Sequence, residues 1–113
     1  MIPNITERKL VIIESPFSGN VEENLRYLRA CMRDAVLRGE SPYASHGLLT
    51  QKGVLNDEVQ GERDLGIQLG FKWHEVADYM VVYADLGITK GMKLGIENAN
   101  RLSINVIQRL IMW

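Results

Sequence analysis

Short apolar runs alternate with longer amphipathic stretches along this chain. Residues 9–13 and 79–84 form short, mostly apolar runs, which are typical of strands buried on both faces of a parallel sheet. Apolar residues recur at helical spacing over 20–39, and more weakly over 56–78, where three glycines lower helical propensity. A glycine-rich loop precedes a helix that begins near residue 90, and the chain ends in a strand and an apolar tail. The predicted order is β-α-β-α-β-α-β.

This alternation predicts an α/β fold with crossover connections. We expect a single-domain Rossmann-like or flavodoxin-like parallel sheet of four to five strands, with helices on both faces and one domain over residues 1–113. The segment 41–49 is interpreted as the second extended element. Asn20 is predicted to cap the first helix and Gly39 to end it. Ligands of such folds bind outside the carboxyl ends of the strands, where the strand order reverses.

Three loops should meet at that edge of the sheet. They follow the three predicted strands over 14–20, 45–51 and 85–91. Their small and polar residues are the candidate ligand-binding positions: Ser15, Ser18, Gly19, Asn20, His46, Asp85, Gly87, Thr89 and Gly91. The first loop could cradle an anion at a helix N-terminus. The alternative is an ordinary turn between strand and helix, with Asn20 as its cap.

Two acidic residues end predicted strands and are the candidate catalytic groups. Burying the carboxylate of Glu14 is costly unless it is paired, so it either holds a sugar hydroxyl or pairs with a cation such as Arg63 or Lys90. Asp85 closes the run 79–84 and could contact a ribose, act as a general base or cap the next turn. The residues alone leave these alternatives open.

Composition and motifs exclude several classes of function. Thirteen basic and 14 acidic residues give a net charge of -1, which is unlike a protein that binds duplex nucleic acid. His46, His74 and the single cysteine, Cys31, are not at metal-ligand spacing, so we predict no metal site, and Cys31 is interpreted as a buried thiol. The phosphate-binding motifs GxGxxG and GxxxxGK[ST] are missing from the sequence, and we predict no cofactor. Without a membrane-length apolar run or a signal peptide, the expected location is the cytoplasm.

Several segments together resemble the nucleoside 2-deoxyribosyltransferase-like superfamily, and especially its small members carried by bacteriophages. They are "IIESPFSGN", "PYASHGLLTQ" and "NDEVQGERDLGIQLGFKWHEVADYMVVYADLGITKGMKLGIENA", which cover nearly the whole chain. The resemblance implies a small Rossmann-like fold that binds nucleosides or nucleotides and cleaves or exchanges the N-glycosidic bond. It also implies that Phe17 contributes to a base or sugar pocket, and it adds Met92 to the candidate ligand-binding residues.

The chain departs from this family at one position. The resemblance would place the catalytic glutamate, the nucleophile, at Gly95. Glu97 lies two residues further along the predicted helix, which turns it by about 200° and points it away. Catalysis would then require Glu14 or Asp85 to take over.

Two functions are therefore expected, with a scaffold as a third reading. The first is binding of a nucleotide-derived or nucleoside-derived small molecule, as in a phage protein that sequesters a nucleotide signal of host defence in the host cytoplasm. The alternative is an N-glycoside hydrolase or nucleoside 2-deoxyribosyltransferase with a rearranged catalytic acid. The resemblance and the apolar tail 110–113 also predict a homo-oligomer, a dimer or larger.

Overall fold

Within residues 5–113, which the computed structural model describes, four strands are connected by four α-helices, two of which lie between the second and third strands. The strands are β1 (Leu10–Glu14), β2 (Ser41–Tyr43), β3 (Tyr79–Tyr83) and β4 (Asn105–Arg109), and the helices are α1 (Val21–Leu37), α2 (Ser45–Leu48), α3 (Gln60–His74) and α4 (Lys90–Arg101). A single 3-10 turn, Ile5–Glu7, precedes β1. Among these residues, no helix is both long enough and apolar enough to cross a bilayer.

The four strands form one parallel sheet in the order β2-β1-β3-β4. The chain moves outward from β1 to β2 and then returns to the other side of β1 to form β3. The strand order therefore reverses between β1 and β3, which makes their carboxyl ends the expected ligand site. The predicted Rossmann-like parallel sheet is confirmed, with four strands.

Helices cover both faces of the sheet, and alternation along β1 assigns its side chains to them. On one face α1 covers a cluster that includes Val11, Ile13, Tyr27, Leu28, Cys31, Ala35, Val81 and Tyr83. On the other face α4 covers a cluster that includes Ile12, Met80, Val82, Met92 and Ala99. Successive strand residues point to opposite faces, so Glu14 shares the face of Ile12. Cys31 is fully buried, and burial raises the pKa of its thiol to about 12.

The ends of α1 form as the sequence predicts. The Asn20 side chain accepts a hydrogen bond from the backbone N–H of Glu23 at 3.2 Å. The helix ends at Leu37, and Gly39 follows with φ of +87°, a left-handed conformation that favours glycine. These caps fix where the first loop ends and where α1 begins.

The second extended segment is shorter than predicted. Only 41–43 pairs with β1, while 45–48 forms the short helix α2, so the prediction of an extended 41–49 was wrong. Gly47 lets α2 approach α1, because a Cβ at this position would lie 2.6 Å from Leu28 Cδ2. Gly70 likewise lets α3 approach Ser45, whose Cβ would be 3.0 Å from an added Cβ. As a result, His46 lies on a helix between α1 and α3.

The C-terminal tail is partly covered by the chain's own fold. Ile111 packs against the α1 cluster, and the Trp113 ring meets Tyr27 edge-on, with centroids 5.4 Å apart. Leu110 and Met112 remain exposed. The apolar tail on which the sequence based an oligomer is therefore covered at Ile111 by the chain itself, because Asp85 accepts hydrogen bonds from the backbone N–H groups of Ile111 and Trp113, while Trp113 is still 48% exposed.

Candidate functional site

A recess of about 110 Å³ opens at the carboxyl end of β1. Its walls come from β1 and the following loop, α2, the region around α3, and the start of α4. The lining residues are Glu14, Ser15, Phe17, Ser18, Ser45, His46, Asp57, Arg63, Ile67, Phe71, His74, Thr89, Gly91 and Met92. The recess therefore lies beside the point where the strand order reverses, as ligand sites of this architecture do.

A larger cleft of about 710 Å³ adjoins the recess. It lies between the first loop and the segment 50–63, and Phe17, Ser18, Asp57 and Arg63 line both spaces. Gly19 lines the outer cleft, with φ of +95°. A ligand could therefore extend from the narrow recess into the wider cleft.

The carboxylate of Glu14 lies directly against the backbone of Gly95. A Cβ added to Gly95 would be 2.7 Å from the Glu14 Cδ and closer still to Oε2. No side chain larger than hydrogen fits at 95 unless Glu14 moves. Glycine at this position of α4 thus leaves room for a carboxylate that the neighbouring strand supplies.

Glu14 has an unusual environment for an acidic residue. Its side chain is half-buried, and no hydrogen bond or ion pair from residues 5–113 reaches its carboxylate. The pairing with Arg63 or Lys90 that the sequence left open is therefore not formed. Burial raises the pKa of Glu14 to about 8, because the charged form loses solvation without gaining a partner. At neutral pH most Glu14 side chains carry a proton.

Ser15 and His46 form a second polar pair in the recess. Ser15 Oγ lies 2.9 Å from His46 Nε2, and Ser15 is almost fully buried. Burial lowers the pKa of His46 to about 4, so its ring is neutral near pH 7. Phe17 meets the His46 ring edge-on, with centroids 6.2 Å apart. The first loop and α2 thus meet here, as the sequence analysis expected.

The first loop is held in shape by Asn24. Its side-chain amide donates to the carbonyls of Phe17 and Ser18 at 2.9 and 3.1 Å. Those contacts fix the two residues that line both the recess and the cleft. Asn20 lies outside both spaces, and its side chain is occupied by the helix cap.

Only the second half of the third loop, together with the start of α4, lines the recess. Thr89, Gly91 and Met92 line the recess, although the Thr89 hydroxyl already accepts a hydrogen bond from the Met92 N–H at 3.2 Å. Gly87 lies outside the recess in an exposed turn with φ of +90°. Glu97 is exposed on α4 and also lies outside the recess.

Asp85 lies outside the recess and binds the C-terminal tail. Its carboxylate accepts hydrogen bonds from Tyr27 Oη at 2.6 Å and from the backbone N–H groups of Ile111 and Trp113 at 3.0 and 3.2 Å. Although burial acts to raise it, these donors hold the pKa of Asp85 below its usual value. The structure therefore does not bring the two predicted acids together in one site.

Several residues of the recess were not predicted from the sequence. They are Ser45, Asp57, Arg63, Ile67, Phe71 and His74. Most of them lie on α3, whose weak apolar periodicity gave no sign of which face meets the recess. The sequence analysis took Gly70 only as a residue that lowers helical propensity, whereas in the structure it lets α3 approach Ser45.

Within residues 5–113, no three His, Cys, Asp or Glu side chains cluster closely enough to hold a metal ion.

Six chains of solved structures match the fold. One is a 2-deoxyribosyltransferase from the psychrotolerant bacterium Bacillus psychrosaccharolyticus, a biocatalyst for nucleoside synthesis. Its TM-score is 0.69 at 14% identity, and the alignment covers 89% of this chain and 72% of that one. At this identity the likeness shows a shared fold.

Sequence comparison adds the family. No curated protein matches the chain. A family model described as a domain of unknown function, DUF7768, matches residues 9–109. Because this match spans most of the 113 residues, the chain belongs to the DUF7768 family.

Proposed function

We propose that this protein binds a nucleoside-derived small molecule in the recess and that Glu14 acts on its N-glycosidic bond. One observation carries the proposal: the Glu14 carboxylate lies against Gly95. The resemblance to nucleoside 2-deoxyribosyltransferases would place a catalytic glutamate at position 95, on α4. Here β1 supplies a carboxylate to the same region, and glycine leaves the room for it. The fold shared with a 2-deoxyribosyltransferase supports the same class of ligand.

The protonation of Glu14 suggests its chemical role. With a pKa of about 8, Glu14 is mainly a proton donor at neutral pH. It donates its proton to the departing nitrogen of the base while the bond between C1′ and that nitrogen breaks and its electron pair passes to the base. Water adds to C1′ and gives a proton back to the Glu14 carboxylate. The products are a free base and a free sugar, and Glu14 is protonated again.

The proposed ligand-binding residues follow from the walls of the two spaces. Phe17 would lie against the base, since base and aromatic surfaces stack favourably. Ser15, Ser18 and His46 would supply polar contacts, Gly19 would allow close approach of the ligand in the outer cleft, and Thr89, Gly91 and Met92 would close the far side. Asn20, Asp85 and Gly87 lie outside the recess and are left out of the proposed set.

The test is release of free base from a panel of ribonucleosides, 2′-deoxynucleosides and their 5′-monophosphates, followed by chromatography. We expect one class to be cleaved, and the rate to fall as pH rises above about 8, where Glu14 loses its proton. A rate that instead rises through pH 8 would overturn the role of proton donor. If no substrate releases base, Glu14 has no catalytic role of this kind.

A double substitution tests the geometry directly. Glu14→Ala alone should abolish activity, and Glu14→Ala combined with Gly95→Glu should restore part of it by supplying the carboxylate from α4. Gly95→Glu without the first change should lower activity, because the new side chain displaces the Glu14 carboxyl group from its place. If the double variant folds well but is as inactive as Glu14→Ala, a carboxylate from α4 cannot replace the carboxylate of Glu14, which contradicts this geometry.

A second candidate is binding without chemistry, in which the protonated Glu14 contacts the ligand but does not react with it. A protonated carboxyl cannot act as the nucleophile that the resemblance implies, but it can hydrogen-bond a sugar hydroxyl or a base. Such a binder could sequester a nucleotide signal of host defence, as a phage protein would. Cyclic dinucleotides and ADP-ribose in a thermal-shift panel test this use. A ligand at about 100 times its Kd should stabilise the fold by about 2.7 kcal/mol and remain intact.

The homo-oligomer stays part of this proposal. Leu110 and Met112 in the tail remain exposed, and so does Trp73 beside the edge strand β2. Light scattering at micromolar concentration should give at least twice the monomer mass. A monomer under these conditions would remove the oligomer from the proposal.

A further inference from the structure

His74 lies at the end of α3 and forms part of the recess wall. It is only 3% exposed, and its ring packs against Phe71 with centroids 5.3 Å apart. Glu14 lines the same recess. A buried polar ring in the wall of this recess has two nitrogen atoms, and each of them should have a hydrogen-bond partner.

A chain of hydrogen bonds from α4 fixes one of those nitrogens. Arg101 donates to Oδ1 of Asn98, which determines the orientation of the Asn98 amide. The amide nitrogen then faces His74 Nδ1 at 2.8 Å and donates to it. Because Nδ1 accepts this hydrogen bond, the ring proton lies on Nε2.

The second nitrogen, Nε2, is free to contact a ligand. No hydrogen bond from residues 5–113 reaches it. His74 is one of the residues that line the recess, so the recess is the space in which a ligand would meet this ring. Burial lowers the pKa of His74, which keeps the ring neutral with one proton.

We propose that His74 donates its Nε2 proton to a carbonyl oxygen of the base, and that Asn98 and Arg101 are positioning residues for it. This inference rests on the proposed function only in requiring that the ligand occupy the recess. His74 then selects against a base that presents an amino group at that point, because two donors would face each other. Sites that hydrogen-bond a specific group discriminate strongly against an analogue that lacks it.

The first test is the tautomer itself. Nitrogen-15 NMR of the ligand-free protein near neutral pH should show His74 protonated on Nε2 and bare on Nδ1. Asn98→Asp replaces the donor by an acceptor, so the His74 proton should move to Nδ1. A wild-type protein protonated on Nδ1, or an Asn98→Asp variant with an unchanged spectrum, would overturn the inference.

The second test measures selectivity by calorimetry in a Glu14→Gln background, so that no probe is cleaved. The probes are two pairs that differ by an oxo or an amino group at one ring atom, deoxyuridine with deoxycytidine and deoxyinosine with deoxyadenosine. In at least one pair the oxo member should bind at least tenfold more tightly. His74→Phe should remove this ratio, His74→Gln should keep most of it through its own N–H, and Asn98→Asp should reverse it.

The outcomes separate the two proposals. Probes that bind with a ratio unaffected by His74→Phe would overturn the role of His74 and leave the proposed function standing. If no probe binds, the role of His74 in selecting these bases fails, and the base-release panel decides the proposed function by itself. If His74→Phe does not fold, the Asn98→Asp variant decides the role of His74 through its ratio of oxo to amino binding and its NMR spectrum. Asn98→Asp replaces an amide by a carboxylate and keeps the shape of the side chain.

Discussion

Two acidic residues lie at the carboxyl ends of neighbouring parallel strands, Glu14 as the last residue of β1 and Asp85 two residues beyond β3, and their environments are opposite. Glu14 at the end of β1 faces a recess, meets no donor from residues 5–113, and has a pKa raised by burial. Asp85, just after β3, is surrounded by donors from Tyr27, Ile111 and Trp113 that hold its pKa low. One carboxyl group is left available for a ligand, and the other is fully used by the fold.

The comparison shows that position at a strand end does not decide what an acid does. Both residues lie at the edge of the sheet where ligands of this architecture bind. The difference comes from the segment of the chain that packs against each acid. The tail after β4 brings backbone N–H groups to Asp85, whereas α4 brings to Glu14 only a glycine without a side chain. We therefore expect substitutions of Glu14 to affect chemistry and those of Asp85 to affect stability.

The largest expected effect is on catalysis. Glu14→Gln should lower base release from whichever nucleoside is cleaved by at least ~100-fold, because an amide cannot donate a proton to the leaving base. The matched control is Glu97→Gln, an exposed carboxylate on α4, which should change the rate less than about twofold. Chromatographic assays of both variants check this. Similar losses from the two variants would mean that Glu14 has no special role.

The second effect is on stability. Asp85→Ala should lower the free energy of unfolding by about 3 kcal/mol, because it leaves the N–H groups of the tail without their charged acceptor. Asp85→Asn should cost less, since its amide oxygen can still accept. Urea unfolding followed by circular dichroism measures both. A folded Asp85→Asn protein that loses turnover as severely as Glu14→Gln would reverse the comparison.

The third effect is a pH dependence of stability due to Glu14. Its pKa is raised in the folded state, so the folded protein binds more protons than the unfolded chain between the usual value of 4.5 and about 8. The contribution of Glu14 to the free energy of unfolding is therefore at its maximum below pH 4.5 and is lost as pH rises to about 8.

Between pH 6.5 and 8, the effect of Glu14 on stability can be measured without a contribution from the histidines. The lowered pKa values of His46 and His74 make stability rise with pH only up to about 6.5. Across this window the wild type should lose about 2 kcal/mol, at ~1.36 kcal/mol per pH unit, and Glu14→Gln should lose almost none of it. Urea titrations at several pH values give the difference. Parallel profiles for the two proteins would mean that Glu14 is not desolvated.

The smallest effect concerns the side chains of the tail. Trp113→Ala should cost about 1 kcal/mol, because it removes the edge-on contact with Tyr27 but keeps the backbone N–H that Asp85 binds. Met112→Ala, at a residue 90% exposed, is the control and should be nearly neutral. Thermal unfolding measures both. A loss from Trp113→Ala as large as that from Asp85→Ala would show that the ring, and not the backbone, holds the tail.

The sequence predicted the parts of the fold that depend on local pattern. Alternation of apolar runs and helical periodicity was enough for the parallel sheet, and the cap at Asn20 and the stop at Gly39 follow from backbone chemistry near each residue. The short helix at Ser45 was missed, because its stability comes from packing of Gly47 and Gly70 against other elements and not from its own residues.

The candidate site was predictable only in part, for a related physical reason. The convergence of Ser15, Phe17 and His46 follows from parallel strands ending at one edge. The contact between Glu14 and Gly95 joins residues distant in sequence and depends on how closely α4 approaches β1. The partners of Asp85 belong to the tail, whose path after β4 no periodicity encodes.

The contact between Glu14 and Gly95 also restricts the order in which substitutions can accumulate. A side chain at 95 and the present position of the Glu14 carboxylate exclude each other, so Glu14 must turn aside if position 95 gains a side chain. A lineage that gains an acid at 95 while it keeps Glu14 therefore displaces the carboxyl group it already has. The effect of a substitution at either position depends on the residue at the other.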